Sequence, residues 1–363
     1  MSAVPDAETD TDASAGSWPL SRAGRAVLSH PDQDSAWVIL AAAEVPDVPS
    51  ADLLTARLAA LTASLPVVGA RLADGRWRPG APTAPTESAD PLGDGRLTAR
   101  FNLAAEPPVR VLAGPGLVAV AAHHAALDGL SLIAVLAALL GAPPLHPGTD
   151  PTATPSQGPL PLLRRLARPA DTVAPSAGSH HGEILLTANL TISGPDTTAR
   201  LAHACLAAAA EHNRRLARPW RRIGLSIGVG GPPGAGNVAT YRRLDLRPGD
   251  PVIPAVRAAL ANPTRPPDTT ATKPPPTIVS KLAARASDSI LVSNVGRLTV
   301  PTATRLIFAP VARGRSAVAF GAAGLASKDT KLPSTLTLRT QHLSHPDAHR
   351  LLTTTVHHLQ SHP

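Results

Sequence analysis

His123-His124-Ala125-Ala126-Leu127-Asp128-Gly129 joins an apolar stretch at 117–122, which reads as a buried strand, to an apolar stretch at 130–140, which reads as a helix. A strand end is where a rigid scaffold can hold an imidazole at the mouth of a cleft. Imidazole is the side chain whose ordinary pKa lies near neutrality, so one of the two histidines can serve as a general base. Neighbouring positions point opposite ways, so only one histidine faces a cleft while the other packs behind it. Asp128 falls in the turn, where a carboxylate is better placed to hold the loop by binding an arginine than to relay protons. Gly129 relaxes the turn. The combination points to an enzyme.

Working outward, residues 1–16 are acidic and polar and read as a disordered tail. Residues 37–43 form an apolar strand, and Ser50 N-caps a helix whose Leu54, Leu58, Leu61 and Leu65 recur at helical spacing. Strand-like runs follow at 67–72 and around Trp77, separated by an Asp74-Gly75 turn, and another at 109–113 leads through Gly114-Pro115-Gly116 into the histidine strand. Residues 17–142 thus make an N-terminal half. The composition turns to Pro, Thr, Ser and Gly over 143–182, with one basic helical piece at 160–168, and reads as a linker or crossover. The C-terminal half, 183–363, alternates strands at 183–192, 223–229, 289–292 and 335–339 with helices at 196–216, 253–260, 278–286 and 346–360. A Pro-rich loop at 263–276 interrupts it. No fixed period emerges, and two α/β halves around mixed sheets fit the pattern.

The chain has 363 residues, 43% hydrophobic and only 2% aromatic, so its core is built from Ala, Leu, Val and Ile. Its 34 basic residues, 30 Arg and 4 Lys, against 26 acids give a net charge of +8, which suits acidic partners such as coenzyme A or an acidic carrier protein. The arginines are scattered and aromatic platforms are scarce, which argues against nucleic acid. Cys205 is the sole cysteine, excluding an intrachain disulfide and a thiolate metal cluster. The start lacks the basic-then-apolar pattern of a signal peptide, and no apolar run is long enough to span a bilayer. A cytosolic protein is expected.

The strand-His-His-x-x-x-Asp-Gly-helix pattern, followed by Leu130-Ser131-Leu132, resembles the CoA-dependent acyltransferase superfamily, which includes chloramphenicol acetyltransferase, non-ribosomal condensation domains and polyketide-associated acyltransferases. Leu65-Pro66 through Arg71-Leu72, Pro107-Pro108-Val109-Arg110-Val111, Gly236-Asn237 and Ser293-Asn294-Val295-Gly296 resemble further family segments in the right order. The motif's position in the first half is similar to condensation domains and polyketide-associated acyltransferases rather than chloramphenicol acetyltransferase. The chain departs from the family in being shorter than many members and in lacking an Asp-Phe-Gly segment.

The resemblance implies two chloramphenicol-acetyltransferase-like halves, an α/β fold of mixed sheets, with an active-site channel between them. It implies that His124 is the general base for direct attack of a hydroxyl or amine acceptor on a thioester, without an acyl-enzyme. By the same route Asp128 would form a structural ion pair with Arg110 or Arg297, Gly129 would permit close passage of the chain, and His123 would pack or hydrogen-bond. Ser293, Asn294 or Asn237 would contact substrate or the developing oxyanion. The donor would be acyl-CoA or a phosphopantetheine thioester on a carrier protein, with no tightly bound cofactor. Lipid or natural-product biosynthesis is the setting such chemistry implies. A stand-alone condensation protein and a degenerate, non-catalytic acyl- or carrier-binding homologue remain the alternatives.

Other motifs read as ordinary structure. Gly224-Leu225-Ser226-Ile227-Gly228 matches a hydrolase elbow in letters, but a Pro/Gly loop follows where the elbow needs a helix. Pro233 breaks a dinucleotide-type glycine pattern, His180-His181 falls in the linker, and His345 with His349 lacks a third metal ligand. No metal is expected. Turns are the plain alternative for Gly236-Asn237 and for Ser293 to Gly296.

Overall fold

A computed structural model describes residues 16–30, 32, 35–143, 164–178, 182–191, 196–231, 234, 236–261, 286–326 and 333–361. The tail at 1–15, most of the first half of the linker, His180-His181, the Pro-rich loop at 263–276 and nearly all of the expected helix at 278–286 lie outside the described residues. The strands in chain order are β1 (Trp18–Pro19), β2 (Val38–Glu44), β3 (Arg71–Ala73), β4 (Arg76–Arg78), β5 (Thr86–Glu87), β6 (Val109–Gly114), β7 (Leu117–His123), β8 (Ile184–Leu190), β9 (Ile223–Val229), β10 (Thr240–Leu246), β11 (Ile290–Leu298), β12 (Arg305–Ala309), β13 (Val318–Leu325) and β14 (Ser334–Thr340). The helices are α1 (Arg22–Leu28), α2 (Ala51–Ser64), α3 (Gly95–Thr98), α4 (Gly129–Leu139), α5 (Thr197–Arg215), α6 (Val252–Ala261) and α7 (His345–Ser361).

Two large sheets organise these elements, one in the order β12-β2-β7-β6-β5 and one in the order β10-β9-β11-β13-β14-β8; a small sheet, β1-β4-β3, flanks them. The expected α/β architecture with mixed sheets is what forms: β9, β11 and β13 run parallel to one another, and the remaining pairs of the larger sheet are antiparallel. In the first sheet β2 and β7 pair antiparallel along their whole length, Val38 opposite His123 through Glu44 opposite Leu117. Both strands are almost wholly buried, which is why their sequences run Val-Ile-Leu-Ala-Ala-Ala and Leu-Val-Ala-Val-Ala-Ala without polar alternation.

Each sheet carries its own helical cover. The oxygen of Ser50 accepts from the Leu53 amide to start α2, whose Leu54, Leu58 and Leu61 turn inward beside α4, each contributing roughly 1.5–3 kcal/mol of burial. On the second sheet α5 packs against α6 and α7 over a separate apolar core. The described end of the linker is not loose. The side-chain amide of Asn213 accepts from the Ala174 amide and donates to the Thr172 carbonyl, and Asp171 accepts from the Arg221 and Arg222 amides.

β12 leaves the C-terminal stretch and pairs antiparallel with β2, Phe308 opposite Ala41, so the N-terminal sheet is completed by a strand from beyond residue 183. β12 also packs on β13 and β14, tying the two sheets together. A buried polar tie across this junction is Arg339 on β14. Its side chain is 2% exposed, donates from Nη1 to the carbonyls of Val38 and Pro310, and pairs through Nε with Glu183 at 2.5 Å. A buried guanidinium so satisfied is costly to remove, because its acceptors stay buried without donors. Arg339→Ala is expected to destabilise the fold by about 3 kcal/mol in urea denaturation; an unchanged midpoint would show that the tie contributes nothing.

Candidate active site

His124 follows the last residue of β7, and its backbone is held from both sides. Its amide donates to the Trp37 carbonyl at 2.7 Å, and its carbonyl accepts from the side-chain amide of Asn237. Trp37 reaches that position with φ at +54°, an uncommon backbone for a bulky residue that turns its carbonyl onto the histidine strand. The His124 ring is buried, with Nδ1 2.9 Å from the Leu127 carbonyl and Nε2 2.6 Å from the Tyr241 hydroxyl. A carbonyl only accepts, so Nδ1 carries the proton. Nε2 is therefore a bare lone pair, and the Tyr241 hydroxyl donates to it. Burial pushes the His124 pKa down to about 4, and the charge of Arg313 adds to that drop against the opposing pull of the Leu127 carbonyl. The ring is neutral at pH 7.

His123 is buried beside His124. Its Nδ1 accepts from the Ala125 amide at 3.1 Å, its ring meets Phe101 edge-on, and burial first, then the neighbouring His124 and Arg100, lowers its pKa to about 3.

Asp128 departs from the expected ion pair. Its Oδ1 caps α4 by accepting from the Ser131 amide at 2.9 Å, while Oδ2 accepts from the amides of Gly231 at 3.2 Å and Val238 at 3.4 Å. Backbone N–H groups replace the arginine because the loop between β9 and β10 closes directly over the turn; the Asp128 amide in return donates to the Gly236 carbonyl. Burial raises the carboxyl above its ordinary range, and these backbone donors limit the rise. Arg110 instead donates to the Ala99 carbonyl, pairs with Glu106 at 2.9 Å and covers the Phe101 ring at 3.7 Å. Arg297 donates to the Leu325 carbonyl. Neither lies on Asp128.

Asn237 is likewise corrected. Its amide nitrogen is committed to the His124 carbonyl and its oxygen to the Ala239 amide, so it shapes the motif rather than facing a substrate. Gly236, at φ +75°, brings that loop so near that a Cβ there would sit 3.3 Å from the Ala126 carbonyl. At Gly129 a Cβ would come within 2.7 Å of the Phe308 ring from β12.

A cavity of about 250 Å³ opens beside His124. Ile39 lines it from the first sheet, Gly129 from the start of α4, Tyr241, Ser293 and Asn294 from the second sheet, and Phe308 from the crossing strand. The Ser293–Gly296 segment is not a simple turn. It continues β11, with a register shift between Asn294 and Arg297 and Gly296 at φ +76°. Asn294 donates to Thr198 Oγ1 and accepts from the Gly296 amide, both at 3.0 Å. Ser293 Oγ lies over Gly228, where an added Cβ would come within 3.0 Å of it.

No sequence motif marks Tyr241 or Arg313, and the fold brings both to the site. The guanidinium of Arg313 lies 4.2 Å from the Tyr241 ring centroid and 3.7 Å from Asp288. A signal was present, since Tyr241 is the only tyrosine in a chain nearly devoid of aromatic residues. Ser226 donates to Asp288 at 2.5 Å on a strand that leads to another strand, so the elbow-like letters build no nucleophile. Among the described residues no group of three or more His, Cys, Asp or Glu could hold a metal ion, and no helix is long and apolar enough to cross a membrane.

Asp128→Asn keeps an oxygen for the helix cap and loses the charged acceptor of the crossing loop; it is expected to cost about 1–2 kcal/mol in thermal or urea unfolding. Unchanged unfolding would count against the latch. His123 and His124 both have folded-state pKa values below the unfolded 6.5, at about 3 and about 4. The unfolded chain therefore binds more protons in acid. Stability is complete above pH 6.5 and is lost as pH falls toward 4 and then 3, with a slope approaching roughly 1.4 kcal/mol per pH unit for each histidine. Burial also lowers His30 to about 3, so three histidines share this slope. Urea midpoints from pH 7.5 to 4.5 should fall on this curve, and His124→Gln should remove about a third of the slope; a flat profile would contradict the burial of these rings.

No family model matches the chain, and no curated protein matches it. Among solved structures it is similar to the starter condensation domain of rhizomide synthetase, a double mutant in complex with C8-CoA and Leu-SNAC, at TM-score 0.59 and 13% identity over 97% of this chain and 96% of that one. The condensation domain of the Monacolin K polyketide synthase MokA aligns at TM-score 0.56 and 13% identity over 95% and 97%. The first condensation domain of the CDA synthetase aligns at TM-score 0.56 and 15% identity over 95% and 96%. The chain has the fold of these condensation domains over nearly their full length.

Proposed function

We propose that this chain is an acyltransferase of the condensation type, joining an acyl group from a CoA or carrier-protein thioester to a hydroxyl or amine acceptor. The observation that carries the reading is the tautomer of His124. With Nδ1–H committed to the Leu127 carbonyl, a neutral ring turns its Nε2 lone pair onto the Tyr241 hydroxyl, beside a cavity that both residues line. That is the arrangement a base needs in order to take a proton from an acceptor as it attacks a thioester carbon. Natural-product synthesis is the setting its condensation-domain neighbours support.

In this reading the acceptor attacks directly. Both His124 ring nitrogens are engaged by Leu127 and Tyr241, so the ring activates no serine. Cys205, on the buried face of α5 with its thiol pushed well up by burial, supplies no thiolate. Ser293 lines the cavity opposite the motif and is the donor best placed for the developing oxyanion, a contribution of roughly 3 kcal/mol when such a donor is well aimed. Asp128 acts through the loop it latches, not on the substrate. The complex of a similar domain with C8-CoA supports an acyl-CoA donor as the first to be tried.

A second reading, a non-catalytic acyl- or carrier-binding homologue, draws on the Tyr241 hydroxyl that already occupies Nε2. Incubating the full chain with C8-CoA or a C8-loaded carrier protein and pooled alcohols and amines, followed by mass spectrometry, separates the two. The expected result is an acylated product whose rate falls at least about 100-fold in a folded His124→Ala variant. Thioester binding without turnover would support the second reading, and full turnover by His124→Ala would refute the assigned base.

A further inference from the structure

We propose that Tyr241 is the proton relay of the site, standing between the acceptor and His124; this rests on the acyl-transfer function proposed above. The base position Nε2 is not open to the cavity directly. The Tyr241 hydroxyl sits on it at 2.6 Å, and Tyr241 itself lines the same cavity as Ser293 and Gly129. The hydroxyl has one proton, given to Nε2, and its remaining lone pairs are able to accept from a bound hydroxyl or amine. Tyr241 is on β10 in the second sheet while His124 follows β7 of the first, so the relay assembles only when the halves are joined.

Three features make it more than an occluding side chain. The ring is fixed edge-on to the His124 ring at a centroid distance of 6.3 Å, so the hydroxyl rather than the ring face meets the base. The Arg313 guanidinium lies over the Tyr241 ring, 4.2 Å from its centroid, where it favours negative charge developing on the phenolic oxygen. Burial disfavours a free phenolate, so the two proton transfers occur together rather than through a discrete tyrosinate.

In the forward step the acceptor heteroatom bonds to the thioester carbon, and its proton passes to Tyr241 Oη as the Tyr241 proton passes to His124 Nε2. Collapse of the tetrahedral adduct breaks the C–S bond. The imidazolium proton returns through Tyr241 to the departing sulfur, leaving both side chains as they began.

The test uses the full chain with a C8-CoA donor and whichever acceptor the mass-spectrometric assay identifies. Two protons in flight predict a bowed dependence of rate on deuterium fraction in mixed H2O and D2O for the wild type. Tyr241→Phe should lower kcat about 100-fold with KM within about twofold, and should make the dependence linear. Because this is the only tyrosine, feeding 3-fluorotyrosine labels the site alone, and its fluorine resonance should move in His124→Ala. A linear dependence in the wild type overturns the relay even where Tyr241→Phe fails to fold. A Phe variant as fast as the wild type or faster assigns Tyr241 to occlusion and also overturns it. Both outcomes leave the acyl-transfer function standing, whereas no turnover by the wild type with either thioester overturns that function and the relay together.

Discussion

The carboxylate of Asp128 is the contact on which the site depends. One oxygen ends the turn and starts α4, and the other gathers two amides from the loop between β9 and β10. That single side chain, fully buried, therefore sets the helix that covers the first sheet and the approach of the second sheet to it. Asn237, on the same crossing loop, then reaches the His124 carbonyl, and β10 follows it with Tyr241. A carboxylate with two oxygens and several lone pairs can satisfy backbone donors from two directions at once, which a neutral cap could not do equally.

The first sheet is largely legible in the residue pattern. Apolar runs without alternation mark β2 and β7 as buried strands, the leucine spacing marks α2, and the motif sits where the strand meets the helix. The structure puts His124 just after β7 and Gly129 at the start of α4. What pattern does not supply is pairing across the halves. β12 is a plain five-residue run, yet it closes the N-terminal sheet from beyond the linker. Charge complementarity points to an arginine for Asp128, whereas the fold supplies backbone amides, which leave no mark in residue types. Asn237 stands where the motif order puts it but does a different task for the same reason, since its partner is a carbonyl.

Tyr241 shows the limit from the other side. A lone tyrosine in a strand with two arginines has no motif around it, and its meaning comes wholly from the register that sets β10 against β9. The fold also places Arg313 against the Tyr241 ring and near Asp288, while the cavity lining itself has few polar side chains, His124, Thr198, Tyr241, Ser293 and Asn294. Arg339 and β12 carry the second half of the joint, so the candidate site and these stabilising contacts share one interface.

The measurement that bears most directly on the role of His124 is the 15N spectrum of its ring at neutral pH, assigned by comparison with His124→Gln. The geometry predicts a neutral ring with the proton on Nδ1 and a bare Nε2, titrating near 4. A proton on Nε2, or a ring that titrates near 6.5, would contradict it.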